Sequence, residues 1–236
     1  MDRSLSSDAD YNLGSSAQSF DGHKAEISAS NPRSVYLRAG KRVLDVTFVL
    51  FSIWFTLPVI LICAAIVARD GHFPFFGHTR VGKDGKEFKC WKIRTMVPDA
   101  QQKLHEHLAA CPEARVEWDA TRKLKNDPRI IRFGQFMRKS SLDELPQIFN
   151  VLLGQMSIVG PRPVVRDELA YYDKGQAAYL AMRPGITGLW QVSGRNDATY
   201  EQRVAYDIAY HKSASLLRDF SIILRTLKVV VVRNGY

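Results

Sequence analysis

The sharpest change in hydropathy along this chain comes at Val46, where an apolar run begins that continues to Ala68. Ser52 and Thr56 are the polar interruptions between Phe48 and Ala68. A run of roughly 20 apolar residues is long enough to cross a bilayer. Pro58 sits near its middle, and proline removes a backbone hydrogen bond and clashes with the preceding turn, so a kink is expected there. Farther on, Phe75–His78 and Glu87–Ile93 read as short strands around Gly82-Lys83-Asp84-Gly85, and Asp-Gly between apolar stretches signals a hairpin. Residues 99–123 form a polar, helix-like stretch. Leu142, Leu145, Ile148, Phe149 and Leu152 recur at three and four, which predicts an amphipathic helix that Gly154 ends. Gly- and Pro-rich loops are expected at Val159–Pro163 and from Arg183 to Arg195. From Leu216 the apolar period through Phe220, Ile223, Leu224 and Leu227 to Val231 predicts a last helix, suited either to cover the core or to lie on a membrane surface.

Three segments follow from this pattern. Residues 1–33, rich in Ser, Asp, Ala and Asn, are expected to be a disordered extension; no basic start, apolar run and cleavage site mark a signal peptide there. Residues 34–69 are expected to form a membrane anchor and residues 70–236 a folded domain at its cytoplasmic end. Charge bears on topology. Arg38, Lys41 and Arg42 precede the apolar run and Arg69 closes it, and short basic flanks prefer the cytoplasmic side. A straight span satisfies that preference at one end, whereas a helix that turns at Pro58 and returns satisfies it at both. Hydropathy leaves the two open.

Composition narrows the function classes. A hydrophobic share of 46% excludes a wholly disordered chain, and a formal charge of +9 favours anionic partners: nucleic acid, anionic lipid or phosphorylated substrates. Cys63, Cys90 and Cys111 are odd in number and irregularly spaced, which argues against a disulfide framework or a zinc site.

The candidate chemistry lies in Ser140-Ser141-Leu142-Asp143-Glu144-Leu145-Pro146. Ser141 followed three residues later by Glu144 fits a capping box, and Pro146 belongs within the first turn, so both acids are expected at a helix start. Acids are common there for dipole reasons alone. Arg132, Arg138 and Lys139 before them, with Arg162 and Arg166 after, point instead to a site for a metal-bound diphosphate.

Those residues carry a resemblance. Ser141–Leu152 followed by Met156-Ser-Ile-Val-Gly-Pro-Arg-Pro163 resembles the bacterial sugar transferases that initiate polysaccharide assembly, the monotopic phosphoglycosyl transferases. Lys41-Arg42 with Asp45, Lys92–Met96, Arg183–Gly188 and Ser193–Asn196 match in family order, from about residue 38 onward. Phe75–His78, Ala120–Pro128 and the Asn234-Gly-Tyr end are most similar to the ExoY type, whose members initiate exopolysaccharide with galactose-1-phosphate.

The resemblance implies an α+β, mainly helical fold: a re-entrant membrane helix kinked at Pro58, then a cytoplasmic-face domain with a short β-hairpin and an amphipathic C-terminal helix. It implies a bacterial inner-membrane enzyme that uses a UDP-sugar and undecaprenyl phosphate, releases UMP, and passes through a phosphosugar on Asp143 in ping-pong fashion. Glu144 supports the site, and magnesium binds at Asp143. Arg138, Arg162, Arg183 and Arg195, with Lys92 and Arg94, are the implied phosphate and nucleotide contacts. Asp207 and Tyr210 are the implied sugar-pocket residues. The lipid bilayer is a partner, a homodimer is compatible with the sequence, and nucleic acid is not expected.

The chain departs from the family at Leu57, where serine is frequent; Thr56 is expected to re-satisfy the backbone. Gln155 stands where an acid is frequent, and His78-Thr79 replaces a glutamine before Arg80. His105-Glu106-His107 places its histidines on different helix faces and reads as solvated surface. Trp190 suits uracil stacking, an interfacial anchor or core packing. Three alternatives stay distinct: the same enzyme with UDP-glucose, a glycosyltransferase that releases UDP, and a membrane-tethered basic binding protein.

Overall fold

The computed structural model describes residues 35–121, 124–193 and 199–232. The extension expected over residues 1–33 lies outside them. The described chain is mainly helical, with a short antiparallel hairpin and one long apolar helix.

That helix, α1, spans Lys41–Val67 after a π-helical turn at Tyr36–Gly40. It is long and apolar enough to cross a membrane. The backbone stays helical through Pro58, so the proline leaves one continuous element rather than two separated by a loop. Proline cannot donate to the carbonyl four residues back, which belongs to Trp54. The hydroxyls of Ser52 and Thr56 donate elsewhere, to the carbonyls of Val49 (3.2 Å) and Ser52 (3.1 Å). Thr56 therefore does not take up the freed carbonyl as the sequence suggested; its hydroxyl turns back onto its own preceding turn.

One face of α1 is buried, through Asp45, Val49, Ile60, Cys63, Ala64 and Val67, while Phe51, Trp54, Phe55, Leu61 and Ile62 stay exposed. Both ends are fastened to the same folded unit. At the start, Lys41 pairs with Asp219 at 2.5 Å and Arg42 donates to the carbonyls of Val151 and Leu152. Asp45 accepts from Ser157 Oγ at 2.9 Å and from the Ile158 amide at 2.8 Å. At the far end, Arg94 donates to the Val67 carbonyl at 3.3 Å and to Asp70 at 2.7 Å.

Strands β1 (Phe75–Val81) and β2 (Glu87–Ile93) pair antiparallel from Phe75↔Ile93 to Val81↔Glu87, as the Asp-Gly signal predicted, with β1 extending three residues beyond His78. Asp84 (φ 58°) and Gly85 (φ 74°) supply the left-handed conformations that the tight turn requires. The polar stretch expected as one helix is two, α2 (Ala100–Ala110) and α3 (Pro112–Thr121). Pro112 disfavours helical geometry at Cys111 but suits the first position of the next helix. The two pack on each other around Leu104, Leu108 and Ala114.

Next come α4 (Arg132–Ser140) and α5 (Gln147–Leu152), separated by a 3₁₀ turn at Leu142–Glu144. A parallel strand pair stands here: β3 (Ser157–Val159) leads into the first expected Gly/Pro loop, and β4 (Gly185–Thr187) lies within the second. A side chain at Gly160 would meet the Arg183 carbonyl at 2.4 Å, so glycine permits this close approach. Short helices α6 (Arg166–Leu169) and α7 (Gln176–Leu180) lie between these strands. Helices α8 (Leu189–Ser193), α9 (Tyr200–Ser213) and α10 (Leu216–Val232) close the fold.

The principal core joins Val49 and Ile60 of α1 to Phe88, Cys90, Ile148, Val151, Met156, Ile158, Tyr210 and Ile222. Helix α1 thus shares its core with the residues that follow it, on both sides of Pro58. Helix α10 contributes Asp219, Ile222 and Ile223 to the interior and leaves Leu216, Leu217, Phe220, Leu224 and Leu227 exposed. It covers the core and presents a second apolar face outward.

Candidate active site

Asp143 and Glu144 lie on the 3₁₀ turn between α4 and α5. The expected capping box is absent: Ser141 ends α4 with φ 58°, and its amide donates to the Arg138 carbonyl. In that left-handed conformation it cannot take the extended geometry of an N-cap, and α5 begins only after Pro146. The acids thus stand on a connecting turn rather than in the first turn of an amphipathic helix.

Asp143 is buried. Burial pushes its carboxyl up from 3.8 to about 6; Lys92 opposes the rise, Glu144 adds to it, and Arg138 opposes it. Lys92, from β2, places Nζ 2.5 Å from Glu144 Oε1. Arg138, from α4, is steadied by its Nε donating to Thr95 Oγ1 at 2.9 Å. Three elements therefore converge: the acids from the turn, a lysine from the hairpin and an arginine from the preceding helix.

Asn150 holds this convergence. It is fully buried in α5, accepts the Trp91 amide at 3.0 Å, and donates to the Lys89 carbonyl at 2.7 Å and to Gln155 Oε1 at 2.6 Å. It ties β2 to α5 across the site. The sequence reading assigned Asn150 no role; its signal was a polar residue inside the apolar period Ile148–Leu152. Gln155, where an acid was noted as frequent, serves that same amide.

The other sequence candidates separate. Arg94 donates to the carbonyls of Phe73, Met96 and Val67 and to Asp70, so it staples the end of α1. Arg183 donates Nε to the Gly154 carbonyl at 2.8 Å. Arg162 lies 5.4 Å from the centre of the Trp190 ring and Arg203 lies 5.0 Å from it. Trp190 is itself buried, which favours packing over base stacking. Arg195 lies outside the described residues.

Asp207 and Tyr210, one helical turn apart, enter different networks. Asp207 accepts from Tyr172 at 2.7 Å, and burial pushes its carboxyl up to about 7 against the pull of Tyr172 and Arg162. Tyr210 donates to Asp219 at 2.6 Å and receives from Lys41 at 2.9 Å. Its hydroxyl is committed to the junction between α1 and α10. Among the described residues, no three His, Cys, Asp or Glu side chains form a metal-binding group, so Asp143 and Glu144 would need oxygens from a substrate to complete a cation's shell.

A family model described as bacterial sugar transferase matches residues 36–233. The chain is 51% identical, over 83% of its length, to a UDP-galactose-lipid carrier transferase of Erwinia amylovora, and covers 41% of that protein. It is 50% identical, with the same coverages of 83% and 41%, to an undecaprenyl-phosphate galactose phosphotransferase of Salmonella typhimurium. With the exopolysaccharide production protein ExoY of Rhizobium meliloti it shares 47% identity over 83% of this chain and 87% of the relative. The chain spans about two-fifths (41%) of the length of the first two relatives and most (87%) of the third.

Proposed function

The chain belongs to the bacterial sugar transferase family, and from that premise we propose that it transfers a hexose-1-phosphate from a UDP-sugar to undecaprenyl phosphate. The observation that carries this reading is the buried Asp143 carboxyl, held near 6 with Lys92, Glu144 and Arg138 around it. At neutral pH such a group is mostly ionised yet poorly solvated, which suits a nucleophile.

In the proposed cycle an Asp143 carboxylate oxygen bonds to the sugar-linked phosphorus of the donor. The phosphorus–oxygen bond to the nucleotide breaks, and UMP leaves with the electron pair. An oxygen of undecaprenyl phosphate then bonds to the same phosphorus, and the bond to Asp143 breaks. Glu144, held by Lys92 at 2.5 Å, is placed to receive a proton or to support the site. Galactose is the proposed sugar, since the names of two relatives specify it.

Asp143 and Glu144 fit a magnesium ion, which takes one or two carboxylates and fills its shell with substrate phosphate and water; the cost of burying Asp143 as an anion would fall beside a cation. Bound there, magnesium would neutralise charge on the diphosphate.

We place the enzyme on the cytoplasmic face of the bacterial inner membrane, with α1 re-entrant. The attachment of both its ends to one folded unit supports this topology. Product identity tests the reaction: UMP released from UDP-galactose is expected, and UDP in its place would exclude phosphosugar transfer.

A further inference from the structure

The hairpin carries a second cation on the face that bears Lys92. Residues opposite one another in an antiparallel pair share a face, so the registers Arg80↔Phe88, His78↔Cys90 and Phe76↔Lys92 set Arg80 beside Phe88 and in line with Cys90 and Lys92. Four strand positions separate the Arg80 and Lys92 levels, about 13 Å at the usual rise, a gap that two long side chains can narrow from either end.

The two levels differ in what surrounds them. Phe75 and Ile93, at the Lys92 end, pack with Cys63 and Val67 of α1. Arg80 stands at the other end, next to Val81, whose amide donates to the Val164 carbonyl at 2.9 Å. That bond brings β1 alongside the segment that carries Arg162. The buried Cys90 thiol sits between: raised mainly by burial, it is lowered by Lys92, raised by Glu144, and lowered again by Arg80 and Arg162.

Arg80 is poorly neutralised. Its side chain is 19% exposed and its carboxylate partner, Glu168, lies at 3.5 Å. The same Glu168 oxygen also accepts the Val165 amide at 3.1 Å. Burial lowers the Arg80 guanidinium, Glu168 holds it up, and Arg162 pushes it down further. Asp207, which attracts Arg162, is itself driven toward its neutral form. The partly buried Arg80 guanidinium thus faces a carboxylate that is already engaged, with the exposed Arg162 near enough to disfavour its charge, an arrangement that an incoming anion would relieve.

We propose that Arg80, acting with Arg162, holds the phosphate of the donor nucleotide that departs as UMP. This rests on the reading of the site as one that splits a UDP-sugar. A phosphate monoester could also come from the lipid acceptor, but Arg80 lies at the end of the hairpin away from α1, where a water-soluble nucleotide reaches and a membrane-held head group is less readily brought.

The test uses the full chain in nanodiscs and measures equilibrium binding of UMP and of uridine. Wild type should prefer UMP; Arg80→Met should weaken UMP about tenfold or more while uridine changes less than about twofold. Arg80→Lys should fall between them, and provides the comparison if the methionine variant does not fold. Equal weakening of UMP and uridine would reveal a structural role and overturn the proposal, as would unchanged UMP binding. A raised KM for polyprenyl phosphate with UMP affinity intact would assign the phosphate to the lipid and also overturn it. Wild type that binds UMP in this Arg80-dependent way yet releases UDP from UDP-sugars would sink the proposed reaction and leave the phosphate site standing.

Discussion

Lys92 Nζ lies 2.5 Å from Glu144 Oε1, and that contact fastens the hairpin to the turn that carries Asp143. The same lysine is the largest influence holding the Asp143 carboxyl down against burial. One cation thus favours ionisation of one acid against its burial and holds the other in position.

Lys92→Met should therefore leave Asp143 protonated to higher pH. Turnover with the donor sugar at neutral pH should fall by about 10- to 100-fold, with partial recovery as the pH rises. A pH–rate profile checks this. A uniform loss at every pH would show that Lys92 serves binding alone.

Asp143 also has a consequence for stability. Its folded carboxyl, raised from 3.8 to about 6, favours the folded state only when protonated, so the contribution is full below about 3.8 and lost as pH rises through 6. Asp143→Asn removes the cost of the buried anion. It should stabilise the protein by roughly 1–3 kcal/mol near pH 8, with the gain gone at acid pH. Thermal unfolding of both proteins across pH measures it, and a gain that grew toward acid pH would reverse the assignment.

The junction between α1 and α10 gives a coupled prediction. Asp219 is fully buried and accepts from Tyr36, Lys41 and Tyr210. Lys41→Met leaves that carboxylate short of its cation and should cost about 3–5 kcal/mol. Adding Asp219→Asn should cost much less than the sum of the two single changes. A double-mutant cycle by thermal unfolding decides; strict additivity would contradict a shared network.

Much of this arrangement was legible in the chain. Asp84-Gly85 between apolar stretches gave the hairpin, and the apolar period from Leu216 gave α10, because each signal is local. Asp143 and Glu144 stood out by their type and their neighbours. Their setting was misread because Ser141 satisfies the pattern of a capping box while adopting a left-handed conformation that only tertiary context fixes. The β3–β4 pair escaped because three-residue strands joined across a long connection leave no period to read. The resemblance implied site roles for Arg94 and Tyr210; the contacts they make here, with Val67 and Asp219, are set by the fold rather than by nearby sequence.

Topology can be tested at the ends of α1. With Cys111 replaced, Arg38→Cys and His72→Cys should both react with an impermeant thiol reagent from the same side of oriented vesicles. Opposite-side labelling would mean that α1 crosses the membrane, despite the attachment of both its ends to one folded unit.

The central claim, that Asp143 is the covalent nucleophile, is tested most directly by intact-mass measurement with UDP-galactose present and lipid acceptor absent. Wild type should gain the mass of a hexose phosphate, mapped by peptide analysis to Asp143, and should lose it when undecaprenyl phosphate is added. Asp143→Asn should gain nothing. A wild-type enzyme that turns over with acceptor but never carries the adduct, or an adduct on another residue, would contradict the account.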